Sequence, residues 1–377
     1  MSLKIFANTV EQEVYDQLNK LLSIDAFKDA KVRIMPDTHA GKGCVIGFTA
    51  NLGDRVVPNL VGVDIGCSVY CANLGKFQLS ESDLVNLDKF IHENIPSGFN
   101  VNDDMHNVGY AKLKELRIYE HLRNVDHLHK SIGSLGGGNH YIELNRDSVG
   151  NIYLCIHTGS RNLGQQVCQY YQKMAVEDCH NKLKDAMHEP REKFFNIKKV
   201  PEELCYLEGD HRNDYLHDMK ICQDFACKNC EEIARRIFSF LNIKPVETFR
   251  TVHNYIDFED NIIRKGAIRC SNGEKVIIPL NMRDGSVIGI GKGNADWNCS
   301  GPHGAGRLMS RSKARKDISM NEFRDAMHGI FTTSVNESTL DESPMAYKDA
   351  DEIIELVKDT VDIVEVIKPI YNFKNSN

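Results

Sequence analysis

Three stretches of the chain set a histidine at the end of a strand or loop. GGGNHYIEL carries His140, CIHTGSRNLG carries His157 and TVHNYID carries His253. A fourth stretch, VGVDIGC, puts Asp64 and Cys67 in one short turn bounded by glycine. A carboxylate and a thiolate so close in sequence reach one metal ion or bridge two. Imidazole, carboxylate and thiolate together are the ligand set of a borderline transition metal. Five such groups exceed what one tetrahedral site needs, so two ions sharing a ligand is the simplest arrangement. Each stretch also has a plainer reading, as a buried thiol beside a turn aspartate or as a satisfied structural histidine. Their recurrence at comparable positions is what points to a metal.

A different histidine stands in SGPHGAGRLMSRSKARK. Gly301, Gly304 and Gly306 leave room around His303, and Pro302 fixes the backbone before it. Such an imidazole serves as a metal ligand, a general base or a nucleophile, and toward phosphorus the nucleophile forms a phosphoramidate. Arg307, Arg311, Lys313, Arg315 and Lys316 follow on what reads as one helix over 304–316, where they could hold phosphates. The plainer alternative is a turn histidine before a solvated basic helix. The glycines before Asn139 expose backbone N–H groups that could cradle a phosphate, and Arg161 precedes a helix, a combination that suits an anion. Two lookalikes carry nothing. GIGKGN at 289–294 lacks the first glycine and the Ser/Thr of a P-loop. Cys227 and Cys230, with Cys222 nearby, lie in a segment of helical periodicity without a second cysteine pair at zinc-finger spacing.

The elements that must position these groups read as a mixed α/β chain. The 377 residues carry a formal charge of −7, with 41% hydrophobic and 26% charged residues, an ordinary globular balance. Net acidity argues against a non-specific nucleic-acid coat but leaves room for a local basic channel. No signal peptide and no membrane span is expected, and twelve cysteines in irregular spacing suit a reduced cytoplasmic setting. Residues 1–30 read as mostly helical, 31–75 as short strands cut by Gly and Pro, and 80–130 as helical. HYIEL and IYLCIHTGS read as strands. Helices are expected from Leu163 to about His188 and from Asp214 to Leu241, joined by a surface connection. Strands return over 250–291, and 349–366 reads as helix. The expectation is one large domain over 1–377 with a helical excursion at about 163–241.

Taken together, MPDTHAGKGCVIG, VGVDIGC, GGGNHYIEL, HTGSRNLG, HNYID, RKGAIRC and HGAGR, in that order, resemble the RtcB family of RNA ligases over nearly the whole chain. The resemblance implies an α/β fold with mixed sheets at the core and helices outside. It implies joining of an RNA 2′,3′-cyclic phosphate or 3′-phosphate end to a 5′-hydroxyl end, with GTP and two manganese ions, in RNA repair or tRNA splicing. By motif position Asp64, Cys67, His140, His157 and His253 would hold the metal, with Cys67 bridging. His303 would become guanylylated. GTP would meet Asn139, His140, Tyr141, Ile142 and Glu143, the last through guanine, together with His253 and Asn254. Pro279, Leu280, Asn281, Met282 and Ser286 would line its pocket, as would Gly304, Ala305 and Gly306 after His303. Tyr347 in AYKDADEII would pack by the base, and Lys374 sits where the family has its terminal guanine-binding lysine. Arg161 and Arg307 would hold RNA or phosphate. A monomer is expected, with an activating protein as a possible partner.

Departures mark a divergent, shorter branch. PLNMRDG replaces the usual PGSMG and puts Arg283 and Asp284 at the pocket rim, Asn162 replaces a glycine in HTGSRNLG, and Pro302 directly precedes His303. A metal-dependent phosphoesterase or cyclic-phosphate hydrolase is the alternative activity, and it needs no covalent histidine. A non-catalytic RNA-end or nucleotide binder would need neither the nucleophile nor the full ligand set.

Overall fold

The computed structural model describes residues 2–24, 27–41, 43–104, 111–187 and 200–375. Its strands in chain order are β1 (Ser2–Ile5), β2 (Lys31–His39), β3 (Ile46–Asn51), β4 (Ser68–Lys76), β5 (Tyr141–Arg146), β6 (Asn151–Thr158) and β7 (Glu247–Val252). Then come β8 (Tyr255–Asp257), β9 (Ile262–Lys265), β10 (Ala267–Arg269), β11 (Lys275–Asn281), β12 (Gly285–Gly291), β13 (Ser300–Pro302) and β14 (Val361–Phe373). The helices are α1 (Gln12–Leu22), α2 (Glu81–Asn94), α3 (Val125–Lys130), α4 (Arg161–Met187), α5 (Gly209–Leu241), α6 (Arg311–Asp317), α7 (Met320–Ala326) and α8 (Ala350–Val357). No described helix is long and apolar enough to cross a membrane.

A five-stranded sheet runs β1-β2-β3-β9-β8, a seven-stranded sheet runs β11-β12-β14-β5-β6-β4-β7, and β10 pairs with β13. The first sheet is mixed, since β1 and β2 are parallel while β2 and β3 are antiparallel. The large sheet curls until its edge strands meet, where Thr251 of β7 donates to the Ile277 carbonyl of β11 at 3.2 Å.

Strand alternation explains which face carries the chemistry. In β6, Ile152, Leu154 and Ile156 point into an apolar layer shared with Leu87 and Ile91 of α2 and Ile233 and Ile237 of α5. Tyr153 and Cys155 point the other way, and His157 continues that face at the strand's end. The register pairs Tyr141 with His157 and Glu143 with Cys155, so β5 offers Tyr141 and Glu143 on the same face. Across β4, Val69 pairs with His157, and Cys67 lies just before the strand on that face. A second apolar core packs α1, α4 and α5 against the five-stranded sheet. Local signals set the helix ends: Ser80 and Asp83 form a full capping box at the start of α2, worth about 1 kcal/mol.

The structure revises several local expectations. Residues 1–30 hold a strand as well as α1, because β1 extends the first sheet beside β2. Residues 304–310 are not helical: Leu308 N–H donates to the Ala346 carbonyl and Lys348 N–H to Gly306, so this stretch is bridged to 346–348 and the helix starts only at Arg311. Of 349–366 only α8 is helix, and from Val361 the chain pairs with β12 and β5 as the long strand β14. The two long helices lie in the expected excursion, while most of the connection between them, 188–199, is outside the described residues.

Candidate active site

Four chain segments bring the predicted ligands together at one end of the large sheet. The Cys67 Sγ lies 3.2 Å from His157 Nε2 and 3.5 Å from His140 Nε2. His140 Nε2 is 3.0 Å from Asp64 Oδ2, and His157 Nε2 is 3.1 Å from His253 Nε2. Cys67, His140 and His157 form a buried group able to hold a metal ion.

Hydrogen bonds fix which ring nitrogens face inward. His140 Nδ1 abuts the Leu135 carbonyl at 2.8 Å and His157 Nδ1 the Asn139 carbonyl at 3.1 Å. A carbonyl only accepts, so each Nδ1 carries a hydrogen; His157 Nε2 is left with a lone pair toward the thiol, while His140 Nε2 faces both Asp64 and Cys67. Burial, with the neighbouring histidines, holds His157 and His253 well below the usual imidazole range, so both are neutral donors to a cation. His253 Nδ1 is buried without a partner. Burial opposes ionisation of Asp64, yet the His140 hydrogen bond and charge outweigh it and keep the carboxyl below its usual range. Burial and Asp64 push the Cys67 thiol well up, which a bound cation reverses by favouring the thiolate. Converging lone pairs, a carboxylate and a buried thiol suit a metal ion and nothing apolar.

The loops that carry these groups are held from behind by α5. Asn229 is fully buried, and its amide nitrogen donates to the Ser134 carbonyl (3.0 Å), Thr158 Oγ1 (3.1 Å) and the Gly159 carbonyl (3.1 Å). Its oxygen accepts from the Gly133 and Ser134 N–H groups at 2.8 and 3.1 Å. One side chain thus staples the loop before His140 to the loop after His157. Cys227 and Cys230 lie on this same helix, with Cys230 packed against Ser68, as the rejection of a zinc knuckle expected. Two glycines are dictated by contact. A Cβ on Gly159 would sit 2.1 Å from Asp64 Oδ1, and one on Gly136, at φ +90°, would sit 1.9 Å from an Arg161 guanidinium nitrogen.

His303 sits next to the cluster, its ring centroid 4.9 Å from that of His253. Its Nδ1 donates to Asp37 Oδ2 at 2.7 Å, and its backbone N–H reaches the same oxygen at 3.2 Å. Asp37 is fully buried and holds the ring with Nε2 as the free lone pair. His303 and the cluster share a cavity of about 830 Å³, lined by Cys67, His157, His253, His303 and Asp64. Asn139, Tyr141, Glu143, Asn254, Pro279, Leu280, Asn281, Met282, Gly304, Ala305, Gly306, Arg307, Tyr347 and Lys374 line the same cavity. Four expected contacts lie elsewhere. Ile142 points into the apolar layer under α2, Ser286 is buried at the β12 register position opposite Pro279, and His140 and Arg161 line an adjoining groove. Arg283 and Asp284 pair with each other at 2.8 Å and close the tight β11–β12 turn.

The deep end of the cavity is polar. Glu143 is buried, accepts from Asn372 at 2.6 Å, and is pushed up to about 7 by burial against the opposing effects of Asn372, Lys374 and Asn145. Glu342 is the hub of a charge cluster. It accepts from Tyr347 (2.7 Å), Arg311 (2.6 Å) and Lys374 (3.1 Å), with an Arg307 nitrogen at 3.4 Å. Burial pushes its carboxyl up, but these cations and the tyrosine bring it down to about 2. Arg315 and Arg311 also pair with buried Asp341. Much of the basic stretch after His303 is therefore neutralised by two acidic residues rather than left open for phosphate.

Sequence reasoning missed Asp37, Asn229 and Glu342. Asp37 stands inside the quoted MPDTHAGKGCVIG and Glu342 five residues before Tyr347, so both were within reach of the motifs. His39 in the first motif also lines the cavity, and burial lowers it to about 4.

The sequence also matches known proteins over most of its length. The family described as tRNA-splicing ligase RtcB matches residues 17–375. The RNA-splicing ligase RtcB of Escherichia coli K12 is 29% identical over 381 residues, covering 90% of this chain and 88% of that protein. The tRNA-splicing ligases RtcB of Nanoarchaeum equitans and Methanococcus maripaludis are 28% and 25% identical, over 85% and 97% of this chain and 83% and 91% of theirs. With the match running through every segment that builds the site, the chain belongs to the RtcB family of RNA ligases.

Proposed function

We propose that this protein is a GTP- and manganese-dependent ligase. It joins RNA 2′,3′-cyclic phosphate or 3′-phosphate ends to 5′-hydroxyl ends through a histidine–GMP intermediate on His303. The observation that carries the reading is the Nε2 lone pair of His303, set by Asp37 and facing the same cavity as the Cys–His cluster. Asp64, Cys67 and His140 would hold one manganese ion and Cys67, His157 and His253 the other. When bound, the ions neutralise phosphate charge and make phosphorus more electrophilic.

The chain's own groups divide the work. His303 Nε2 attacks the α-phosphorus of GTP; an N–P bond forms and pyrophosphate leaves. Water opens any cyclic phosphate, its oxygen bonding to phosphorus as the bond to the 2′-oxygen breaks, and an oxygen of the resulting RNA 3′-phosphate then displaces the imidazole and takes the GMP. The 5′-hydroxyl attacks that activated phosphorus, the new phosphodiester forms and GMP leaves. Asp37 keeps the ring in one orientation and stabilises its positive charge while the bond is made and broken. Glu143 and Lys374 would read the guanine edge, Tyr347 would pack by the base, and Asn139 would meet the phosphates. Arg161 and Arg307 would steady RNA phosphate, Arg307 from a guanidinium already anchored on the Asp341 carbonyl at 2.6 Å. All twelve cysteines are free, which supports a reducing cytoplasmic setting. We extend the proposal to a monomer.

The test is joining of two RNA oligonucleotides, one ending in 2′,3′-cyclic phosphate and one beginning with 5′-hydroxyl, with Mn²⁺ and GTP. A joined product that requires GTP supports the ligase. Opening of the cyclic phosphate without joining, at a rate indifferent to GTP, would establish the hydrolase instead.

A further inference from the structure

Asp64 lines the His303 cavity and also an adjoining groove of about 790 Å³, where His140 joins it. The cluster is therefore reachable from two hollows. The groove's charged lining is Arg123 and Arg161 against Asp64, a local reversal in a chain of net charge −7. Phe99 stands at this groove with 99% of its surface exposed, and Val63 beside it is 46% exposed.

Single exposed apolar residues are ordinary. Phe99 differs because its turn is pinned. Gly98 N–H donates to the Gly136 carbonyl at 2.9 Å, and Arg161 donates to the Gly98 carbonyl at 2.6 Å. Ser97 donates to Asn375 at 3.0 Å, and Asn100 N–H closes the turn on the Ser97 carbonyl at 3.1 Å. The backbone that presents the ring to solvent is thus tied to the same loops that carry His140 and Arg161. A solvent-facing aromatic on a pinned turn, in a groove that also holds arginines, is how proteins grip single-stranded nucleic acid, with bases stacking and cations following the phosphates. A protein partner would need a broader apolar surface than one phenylalanine and one valine supply.

We propose that Phe99 is the platform on which an unpaired terminal base of the RNA substrate stacks, with Arg123 and Arg161 on the adjoining phosphates. The inference rests on the RNA-ligase reading and adds a requirement to it: the end that enters this groove is single-stranded and carries a base. Arg161, with its Nε on Ser134 Oγ at 3.1 Å, couples that stacked end to the loop bearing the cluster.

The experiment compares wild type, Phe99→Ala and Phe99→Trp on RNA oligonucleotides with intact ends. It repeats the comparison with an abasic terminal nucleotide on the 3′-phosphate strand or on the 5′-hydroxyl strand. Phe99→Ala should raise KM for intact RNA by about ten-fold, the usual scale for losing one base–aromatic stack. Phe99→Trp should restore it. On one of the two abasic substrates wild type should be as weak as Phe99→Ala, and that strand is the one in the groove. A wild-type KM for Phe99→Ala, or losses from the variant and from both abasic ends that multiply, overturns the proposal. A defect seen only when another protein is added also overturns it, in favour of a protein-docking role. Self-labelling of His303 by GTP in the same preparations reports the ligase reading separately. Fluorescence anisotropy with the same RNAs yields the Phe99 comparison even where no joining occurs.

Discussion

Acidification should loosen the guanine nucleotide through one carboxylate. Glu143 is 3% exposed at the deep end of the cavity, and burial, only partly offset by Asn372, Lys374 and Asn145, pushes it up to about 7. In the proposed pose guanine offers two N–H donors, and only the ionised carboxylate accepts both. Protonated Glu143 must therefore lose its proton when GTP binds. With a pKa of about 7 the group is about nine-tenths ionised at pH 8 and about one-tenth at pH 6, so Kd should rise about ten-fold as pH falls across that window. This corresponds to about 1.4 kcal/mol. Protons also compete with metal at the cysteine and histidines, so raw affinity mixes two titrations. Calorimetric titration of GTP into wild type and Glu143→Gln, both saturated with Mn²⁺, separates them. Glutamine does not titrate, so the ratio of variant Kd to wild-type Kd should be about ten-fold larger at pH 8 than at pH 6. A ratio constant across that range would refute the role given to Glu143.

Four further outcomes are expected. Asp37→Asn should slow self-guanylylation by about 10²–10⁴-fold with metal content unchanged, because an amide can hold His303 in the wrong tautomer; quench-flow labelling beside metal analysis checks this. Cys67→Ser should lower bound metal in elemental analysis, and Zn²⁺ added to wild type should displace Mn²⁺ and stop joining, since thiolate and imidazole favour zinc. Asn229→Ala removes five hydrogen bonds in the interior and should destabilise by about 3 kcal/mol in chemical denaturation; a loss under about 1 kcal/mol would show that water replaces the amide. Glu342, held at about 2 in the fold, adds stability that is present above its unfolded value near 4.5 and is lost as pH falls toward 2; the loss should be roughly 3 kcal/mol in acid denaturation and absent in Glu342→Gln.

The sequence made the ligands legible because each ends a strand or opens a tight loop. Alternation in NIYLCIHT places His157 on the face opposite Ile152, Leu154 and Ile156, and the structure keeps that face. What stayed hidden depends on partners distant in sequence. The basic residues after His303 look free until Asp341 and Glu342 fold back onto them. Asn229 has no local signal, since its bonds all go to loops about seventy residues or more away. The strand β14 was misread because the apolar positions of α8 run into VDIVEVI with only a short turn between them. There sheet pairing with β12 and β5 overrides local periodicity. Asp37 is different: it lies within MPDTHAGKGCVIG, but only the fold brings its carboxylate to His303 Nδ1.

The most direct test of the account is incubation of the protein with Mn²⁺ and α-labelled GTP, followed by a denaturing gel and acid treatment. The account predicts a label that survives the gel, is released by acid as a phosphoramidate should be, and is absent in His303→Ala. A label retained by His303→Ala, or no label under conditions where metal and GTP both bind, would contradict it.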